Sequence, residues 1–179
     1  MTVRIRRVTT TRAGGVSAPP FDTFNLGDHV GDDPAAVAAN RARLAATIKL
    51  SPERVVWMNQ VHGDNVEVVS APRADSLDDT DALVTSTPRL ALAVVTADCV
   101  PILAASADGA VVAAIHAGWR GLAAGVVAAG ITRLRVRAVQ GRRLVAVIGP
   151  HIGACCYEVD APVRVALGRR FGERLEGAL

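Results

Sequence analysis

Two runs of residues that are apolar on both faces of an extended strand most constrain the fold of this chain. They are LALAVVTA, residues 90–97, and AVVAAIHA, residues 110–117. Runs of this kind belong to strands that are buried on each side. They predict central strands of a sheet that helices or a second sheet must cover on both faces.

Further short runs rich in β-branched residues predict additional strands. They are RVVWMNQV, NVEVV, DALVTS, PILAASA and RLVAVIGP, the last as another buried strand, with turns at Gly63-Asp64 and Asp108-Gly109. Residues 3–9 alternate apolar and polar side chains, which predicts an edge or half-buried strand followed by a long loop to Asp33.

Three segments predict helices. Asp33 followed by Pro34 is typical of a helix start, and apolar residues then recur at helical spacing to about Lys49. Residues 119–137 and 161–175 have helical patterns as well. Strands in the middle with helices around them predict the α+β class, in a single domain spanning residues 1–179.

The composition excludes several classes of function. No apolar run reaches the roughly 20 residues of a membrane span, and no secretory signal is visible, so we expect a cytoplasmic protein without a membrane partner. The net charge is +3 with scattered arginines and only two Trp, one Tyr and three Phe, which argues against nucleic-acid binding. Cys155 and Cys156 are expected to be reduced, too near each other for ordinary bridging, and to pack as small hydrophobes, with a metal or redox role as the alternative.

His62, Cys99 and His116 are the candidate metal ligands. Each stands where a predicted strand meets a loop, beside glycine or small residues. Two imidazoles and one thiolate suit zinc and leave a fourth position for water or substrate. Taken singly, however, a buried Cys or a hydrogen-bonded His is a common structural residue, and separations of 37 and 17 positions match no short zinc motif.

Six segments in order resemble the signatures of one family. They are TTRAGGVSAPPFDTFNLGDHVGDD, WMNQVHGDNV, DALVTS, LALAVVTADCVPIL, AAIHAGWRGLAAGVV and IGPHIGACCYEV, and together they span Thr9 to Val159. The family is the YfiH-type laccase-domain family, also called polyphenol oxidase or purine nucleoside phosphorylase. The resemblance implies mixed sheets flanked by helices, an α/β/β/α-like arrangement similar to the cysteine deamidases.

The resemblance also implies a site and an activity. It places zinc on His62, Cys99 and His116, with copper as the less favoured metal. It implies phosphorolysis of adenosine, inosine, guanosine and methylthioadenosine, with deamination of adenosine as a second activity, so the expected partners are purine nucleosides and phosphate. Full members of the family continue with another helix, a strand and a polar aromatic segment, which implies a C-terminally shortened domain.

Other polar residues are candidates for handling substrate. Arg12 and Asn25 could bind phosphate, and Arg120 is a second anion candidate at a predicted helix start, with ordinary surface or loop roles as the alternative. Asp98 could act as an acid or base or could cap its turn. Gln60 could contact a base edge or satisfy loop backbone, and His151 begins a turn that could close over the site.

Two rival functions stay open. Cys99 as a nucleophile with His116 as its base would make a cysteine hydrolase or deamidase. A shortened family member could instead be an inactive binding protein. A multicopper oxidase is excluded by ligand count, because the chain has four histidines and no His-x-His pair. The oligomeric state does not follow from the sequence.

Overall fold

The computed structural model describes residues 5–139 and 143–172. Those residues form four helices, seven strands and a short 3-10 helix at Pro52–Arg54. In chain order the helices and strands are α1 Pro34–Thr47, β1 Val55–Val56, β2 Val66–Val68, β3 Ala82–Thr85, β4 Ala91–Leu92, β5 Val100–Ser106, β6 Val112–Ala117, α2 Trp119–Ala124, α3 Val126–Arg137, β7 Leu144–Ile148 and α4 Ala161–Phe171. None of these described helices is long and apolar enough to cross a membrane.

The strands form one five-stranded and one two-stranded sheet. In the larger sheet the order is β2-β3-β6-β5-β7, with β2 parallel to β3 and every other pair antiparallel. In the smaller sheet β1 pairs in parallel with β4. The prediction that AVVAAIHA is a central strand is confirmed, because β6 lies between β3 and β5.

The two sheets and two of the helices form four layers. On one face of the five-stranded sheet, Ile115 packs with Val126 and Leu134 of α3. On the other face, Leu83 packs with Val56 of the two-stranded sheet. Helix α1 covers the far side of that small sheet through a cluster containing Ala45, Val55 and Trp57. The predicted α+β class with mixed sheets flanked by helices is confirmed.

The run LALAVVTA packs against apolar clusters on both sides, but it is mostly half-buried and it is not a central strand. Only Ala91–Leu92 forms strand, in the two-stranded sheet. Leu92 and Val94 join the cluster between the sheets, whereas Ala91 and Ala93 join the cluster beneath α1. The apolar pattern of residues 90–97 therefore indicates a position between two layers of the fold, not a position inside the larger sheet.

Two further strand predictions were wrong. Residues 5–9 of the predicted N-terminal strand are exposed and irregular, with no neighbouring strand to pair their backbone groups, and residues 3–4 lie outside the described part. RLVAVIGP does form β7, but β7 is an edge strand, and Val145 and Ile148 are 49% and 61% exposed. The sequence of β7 is as apolar as that of a buried strand, so its composition did not indicate an edge position.

The helix predictions hold with changed bounds. Asp33 caps α1 by accepting a hydrogen bond from the Ala35 N–H at 2.9 Å. The predicted helix over residues 119–137 is broken at Gly125, whose φ of 113° ends α2 and starts α3. That conformation is accessible to glycine at little cost. The last helix ends at Phe171 within the described residues, and residue 175 lies outside them.

Cys155 and Cys156 do not pack as small hydrophobes. Both thiols are free, and both residues are exposed in the turn between β7 and α4.

Truncating Leu83 tests the contact between the two sheets. Leu83 has no exposed surface and packs on Val56 and Leu90, so Leu83→Ala is expected to lower the free energy of unfolding by about 2–5 kcal/mol. The control Val136→Ala removes a side chain that is 78% exposed and is expected to change it by less than about 0.5 kcal/mol. Urea unfolding measures both, and equal losses would contradict the layer assignment.

Candidate metal centre

Three separate parts of the fold deliver the candidate ligands. His62 lies in the turn that precedes β2, Cys99 directly precedes β5, and His116 is the penultimate residue of β6. The β5–β6 register pairs Pro101 with His116. Hydrogen bonding between these strands therefore sets Cys99 beside the end of β6.

The three side chains converge in space. One ligand atom from each of His62, Cys99 and His116 lies within 4.8 Å of the others. Cys99 Sγ is 3.7 Å from His62 Nε2, and the two imidazole rings meet edge to face with centroids 4.8 Å apart. Residues far apart in sequence thus form one compact donor cluster.

Asp81, at the position before β3, organises two of these ligands. Its Oδ1 accepts a hydrogen bond from His116 Nδ1 at 2.8 Å and one from the His62 N–H at 3.0 Å. Its Oδ2 accepts from the N–H groups of Gly63 at 2.7 Å and Val61 at 3.2 Å. With Nδ1 of His116 used in this way, its Nε2 is the nitrogen left for a metal.

The backbone of His62 also depends on this carboxylate. His62 has a φ of 62°, in the left-handed region that a residue with a side chain rarely adopts. The bonds from Asp81 to the N–H groups of three successive residues hold the turn in that conformation. A strained backbone conformation of this kind persists only where the surrounding structure holds it in place.

The protonation of the cluster follows from its surroundings. Burial, helped by the charge of His116, lowers the pKa of His62, so this ring is neutral at neutral pH and has a free lone pair. Burial also raises the pKa of Cys99, and the charges of Asp98 and Asp81 add to that effect. Burial alone would raise the pKa of Asp81, but the hydrogen bonds from His116, Gly63 and Val61 outweigh it and lower that pKa.

The donor set fits a tetrahedral zinc ion. With Zn–S bonds of about 2.3 Å and Zn–N bonds of about 2.0–2.1 Å, sulfur and nitrogen would lie about 3.6 Å apart. The observed separation of Cys99 Sγ and His62 Nε2 is 3.7 Å. Three protein ligands with one imidazole oriented by a carboxylate resemble catalytic zinc sites, which leave a fourth position open.

Gly118 makes room for this cluster. A Cβ atom at this position would lie 2.6 Å from His62 Cδ2 and 3.0 Å from Cys99 Sγ. The backbone of Gly118 is extended, with φ −70° and ψ 161°, so space and not backbone freedom requires glycine. Because Gly118 has no side chain, His62 and Cys99 can come close to each other and to His116.

The structure gives three of the other candidate residues protein partners. Gln60 uses both ends of its amide on the backbone of Val95, at 2.8 and 2.9 Å. The Arg12 guanidinium binds the Asp22 carbonyl at 2.9 Å and its carboxylate at 3.3 Å. Asn25 bonds to Gly27 and Asp32. These contacts match the alternative structural role of each residue, and its role in binding substrate stays a prediction.

The remaining candidates lie around the cluster. The exposed Arg120 guanidinium stacks on the Trp119 ring at 4.6 Å, and its charge contributes to the lowered pKa of His62. Asp98 is exposed, and its carbonyl accepts a hydrogen bond from the Ile152 N–H at 3.0 Å. His151 is exposed and its Nδ1 contacts the Gly149 carbonyl at 2.9 Å.

Sequence reasoning missed Asp81. Asp81 is the first letter of DALVTS, and an acidic residue at the start of a buried strand was the available signal.

Fold and site together define an α/β/β/α protein with a His–Cys–His centre. The family described as multi-copper polyphenol oxidoreductase laccase matches residues 6–176, so the chain belongs to that family. Among solved structures it is similar to hypothetical protein YfiH of Bacillus licheniformis, with a TM-score of 0.85 and 35% identity over 93% of this chain and 66% of that one. Protein NMB0706 of Neisseria meningitidis gives a TM-score of 0.82, with 41% identity over 93% of this chain and 66% of that one.

Two bacterial relatives are similar to this chain over most of its length. It is 66% identical over 161 residues to a protein of Mycobacterium tuberculosis named purine nucleoside phosphorylase, covering 90% of this chain and 64% of the relative. A Corynebacterium glutamicum protein of the same name is 46% identical over 177 residues, covering 98% of this chain and 70% of the relative. The chain thus spans about two thirds of the length of these relatives.

Replacing Asp81 tests its role in positioning the ligands. Asp81→Asn replaces one carboxylate oxygen by an NH2 group, which cannot accept hydrogen bonds from His116 and the backbone. We expect zinc affinity to fall about 10- to 100-fold, measured by competition with a chromogenic chelator. Asp64→Asn, a change at an exposed neighbour, is the control, and an unchanged affinity in Asp81→Asn would contradict the assignment.

Adding one methyl group at Gly118 tests the packing of the cluster. Gly118→Ala forces the His62 ring away from Cys99, and we expect zinc affinity to fall at least about tenfold. Gly168→Ala is the matched control, because a Cβ there meets nothing within 4 Å. Tight zinc binding by Gly118→Ala would show that the described arrangement is not the metal-binding one.

Proposed function

We propose that this protein is a zinc-dependent purine nucleoside phosphorylase acting on adenosine, inosine, guanosine and methylthioadenosine. The observation that carries the proposal is the convergence of His62, Cys99 and His116 on one position. The names of the Mycobacterium and Corynebacterium relatives support the reaction. Adenosine deamination is proposed as a second activity of the same centre.

Zinc is the metal that the donor set favours. Two imidazoles and one thiolate suit Zn²⁺, and the three side chains leave a place for a fourth ligand. When bound, the metal would polarise a base or activate water at that place. Copper also accepts these donors, so metal analysis of the purified protein decides between the two.

The residues of the chain would supply positioning and charge. Phosphorolysis joins phosphate to C1′ of the ribose and breaks the bond to the purine, so the site must bind an anion and stabilise charge on the departing base. Arg120 is the proposed phosphate ligand, because its exposed guanidinium lies close enough to affect the pKa of His62. Asp81 keeps the His116 ring oriented through Nδ1 throughout.

The proposed roles of the other residues are less direct. Asp98 is next to Cys99, its side chain is exposed, and it is the proposed acid or base. His151 and Ile152 lie in the turn that bonds to the Asp98 carbonyl, which supports a substrate contact from His151. Arg12, Asn25 and Gln60 would bind substrate only by exchanging their present partners.

The cysteine hydrolase alternative has less support. A nucleophilic cysteine normally has a lowered pKa and a cationic or basic partner. Burial raises the pKa of Cys99, and the hydrogen-bond partner of its Sγ is His62, not the proposed base His116. A thiol that is protonated until a metal displaces its proton fits a ligand better than a nucleophile.

An assay with and without phosphate tests the proposed reaction. The purified protein, loaded with zinc, is incubated with inosine or adenosine, and free base and ribose 1-phosphate are measured. We expect both products in equal amounts and only with phosphate present. Base release that is independent of phosphate would indicate a hydrolase, and inosine formed from adenosine would show the deaminase activity.

Metal removal separates the two candidate mechanisms. A chelator is expected to abolish turnover, and zinc is expected to restore it, because the centre needs the ion. Cys99→Ser should lower zinc occupancy and activity together. A chelated protein of unchanged activity, inactivated by alkylation of Cys99, would favour the hydrolase.

A further inference from the structure

Cys155 and Cys156 form a pair of surface thiols that the proposed phosphorylase reaction does not use. Their Sγ atoms are 3.1 Å apart, and both residues are exposed. The backbone turn that carries them is closed by N–H groups of Cys156 and Tyr157, which donate to the Gly153 carbonyl at 3.0 and 3.1 Å. Two thiols are therefore held in contact where a solute can reach them.

The surroundings of the pair favour oxidation over metal binding. The described residues contain one group of three or more His, Cys, Asp or Glu side chains suited to a metal, and Cys155 and Cys156 are not in it. Within residues 5–139 and 143–172, a soft metal ion at this pair would find fewer than three protein ligands. Two thiols in contact can instead form a disulfide with each other, without any further protein ligand.

We propose that Cys155 and Cys156 are a site of reversible oxidation by small-molecule disulfides, which convert the pair to an intramolecular disulfide. One thiolate attacks a sulfur of the oxidant, forms a mixed disulfide and releases one small thiolate. The neighbouring thiol loses its proton to solvent and attacks the protein sulfur of the mixed disulfide, which forms the internal disulfide and releases the second small thiolate. The protein loses two protons and two electrons, and the oxidant takes up both and is reduced to two thiols.

Adjacency makes this bond easy to reverse. The Cα atoms of consecutive residues lie about 3.8 Å apart, whereas most disulfides join Cα atoms roughly 4.4–6.8 Å apart. The resulting ring is strained, so the bond is readily reduced.

The position of the pair relates it to the metal centre. The Ile152 N–H donates to the carbonyl of Asp98 at 3.0 Å, and the Gly149 N–H donates to Pro101 at 2.9 Å. The turn of Cys155 and Cys156 is thus tied to both sides of Cys99. Its oxidation requires neither metal nor nucleoside, so its test is independent of the proposed function.

Mass spectrometry after treatment with excess oxidised glutathione tests the site. Free thiols are first trapped by alkylation. The wild-type peptide containing Cys155 and Cys156 is then expected to be two hydrogens lighter than its reduced form and to carry no alkyl group. A dithiol reductant should restore the two free thiols. Cys155→Ser and Cys156→Ser should each retain one glutathione at the remaining cysteine of the pair. Cys99→Ser retains Cys155 and Cys156 and should form the same internal disulfide as the wild-type protein.

Two results would overturn the proposal. One is a wild-type protein that retains glutathione on Cys155 or Cys156 without forming the internal bond. The other is a disulfide that peptide mapping assigns to Cys99.

Discussion

The buried carboxylate of Asp81 is the interaction on which the candidate centre depends. It stands before a central strand, accepts a hydrogen bond from one imidazole and holds the backbone of the residue that carries the other. The side chain is fully buried, and every described hydrogen bond to it comes from the ligand region. A charge in this position is stable because it is paired with several donors at once.

This arrangement makes the site an extension of the larger sheet. His116 belongs to β6, Cys99 precedes the strand paired with it, and Asp81 precedes the strand on its other side. The apolar layers on both faces of the sheet therefore fix the positions of ligands and carboxylate together. His62 alone comes from a turn, and its left-handed backbone is held by the same carboxylate.

The description of the family and the names of the relatives indicate different chemistries. A multicopper oxidase binds several ions, yet the chain has four histidines, and the described residues offer one suitable cluster. Such a cluster is sufficient for a single ion with an open position. It agrees with a single-metal centre better than with electron transfer through several coppers.

The sequence alone determined the fold class, the helix start at Asp33 and the central position of β6, because apolar periodicity and capping are local signals. The family signatures in the sequence also indicated His62, Cys99 and His116 as metal ligands. Only the tertiary structure decided that LALAVVTA lies between layers, that β7 is an edge and that Asp81 joins two ligands. Those outcomes depend on which segments meet across long sequence separations, and neither hydropathy nor propensity carries that information.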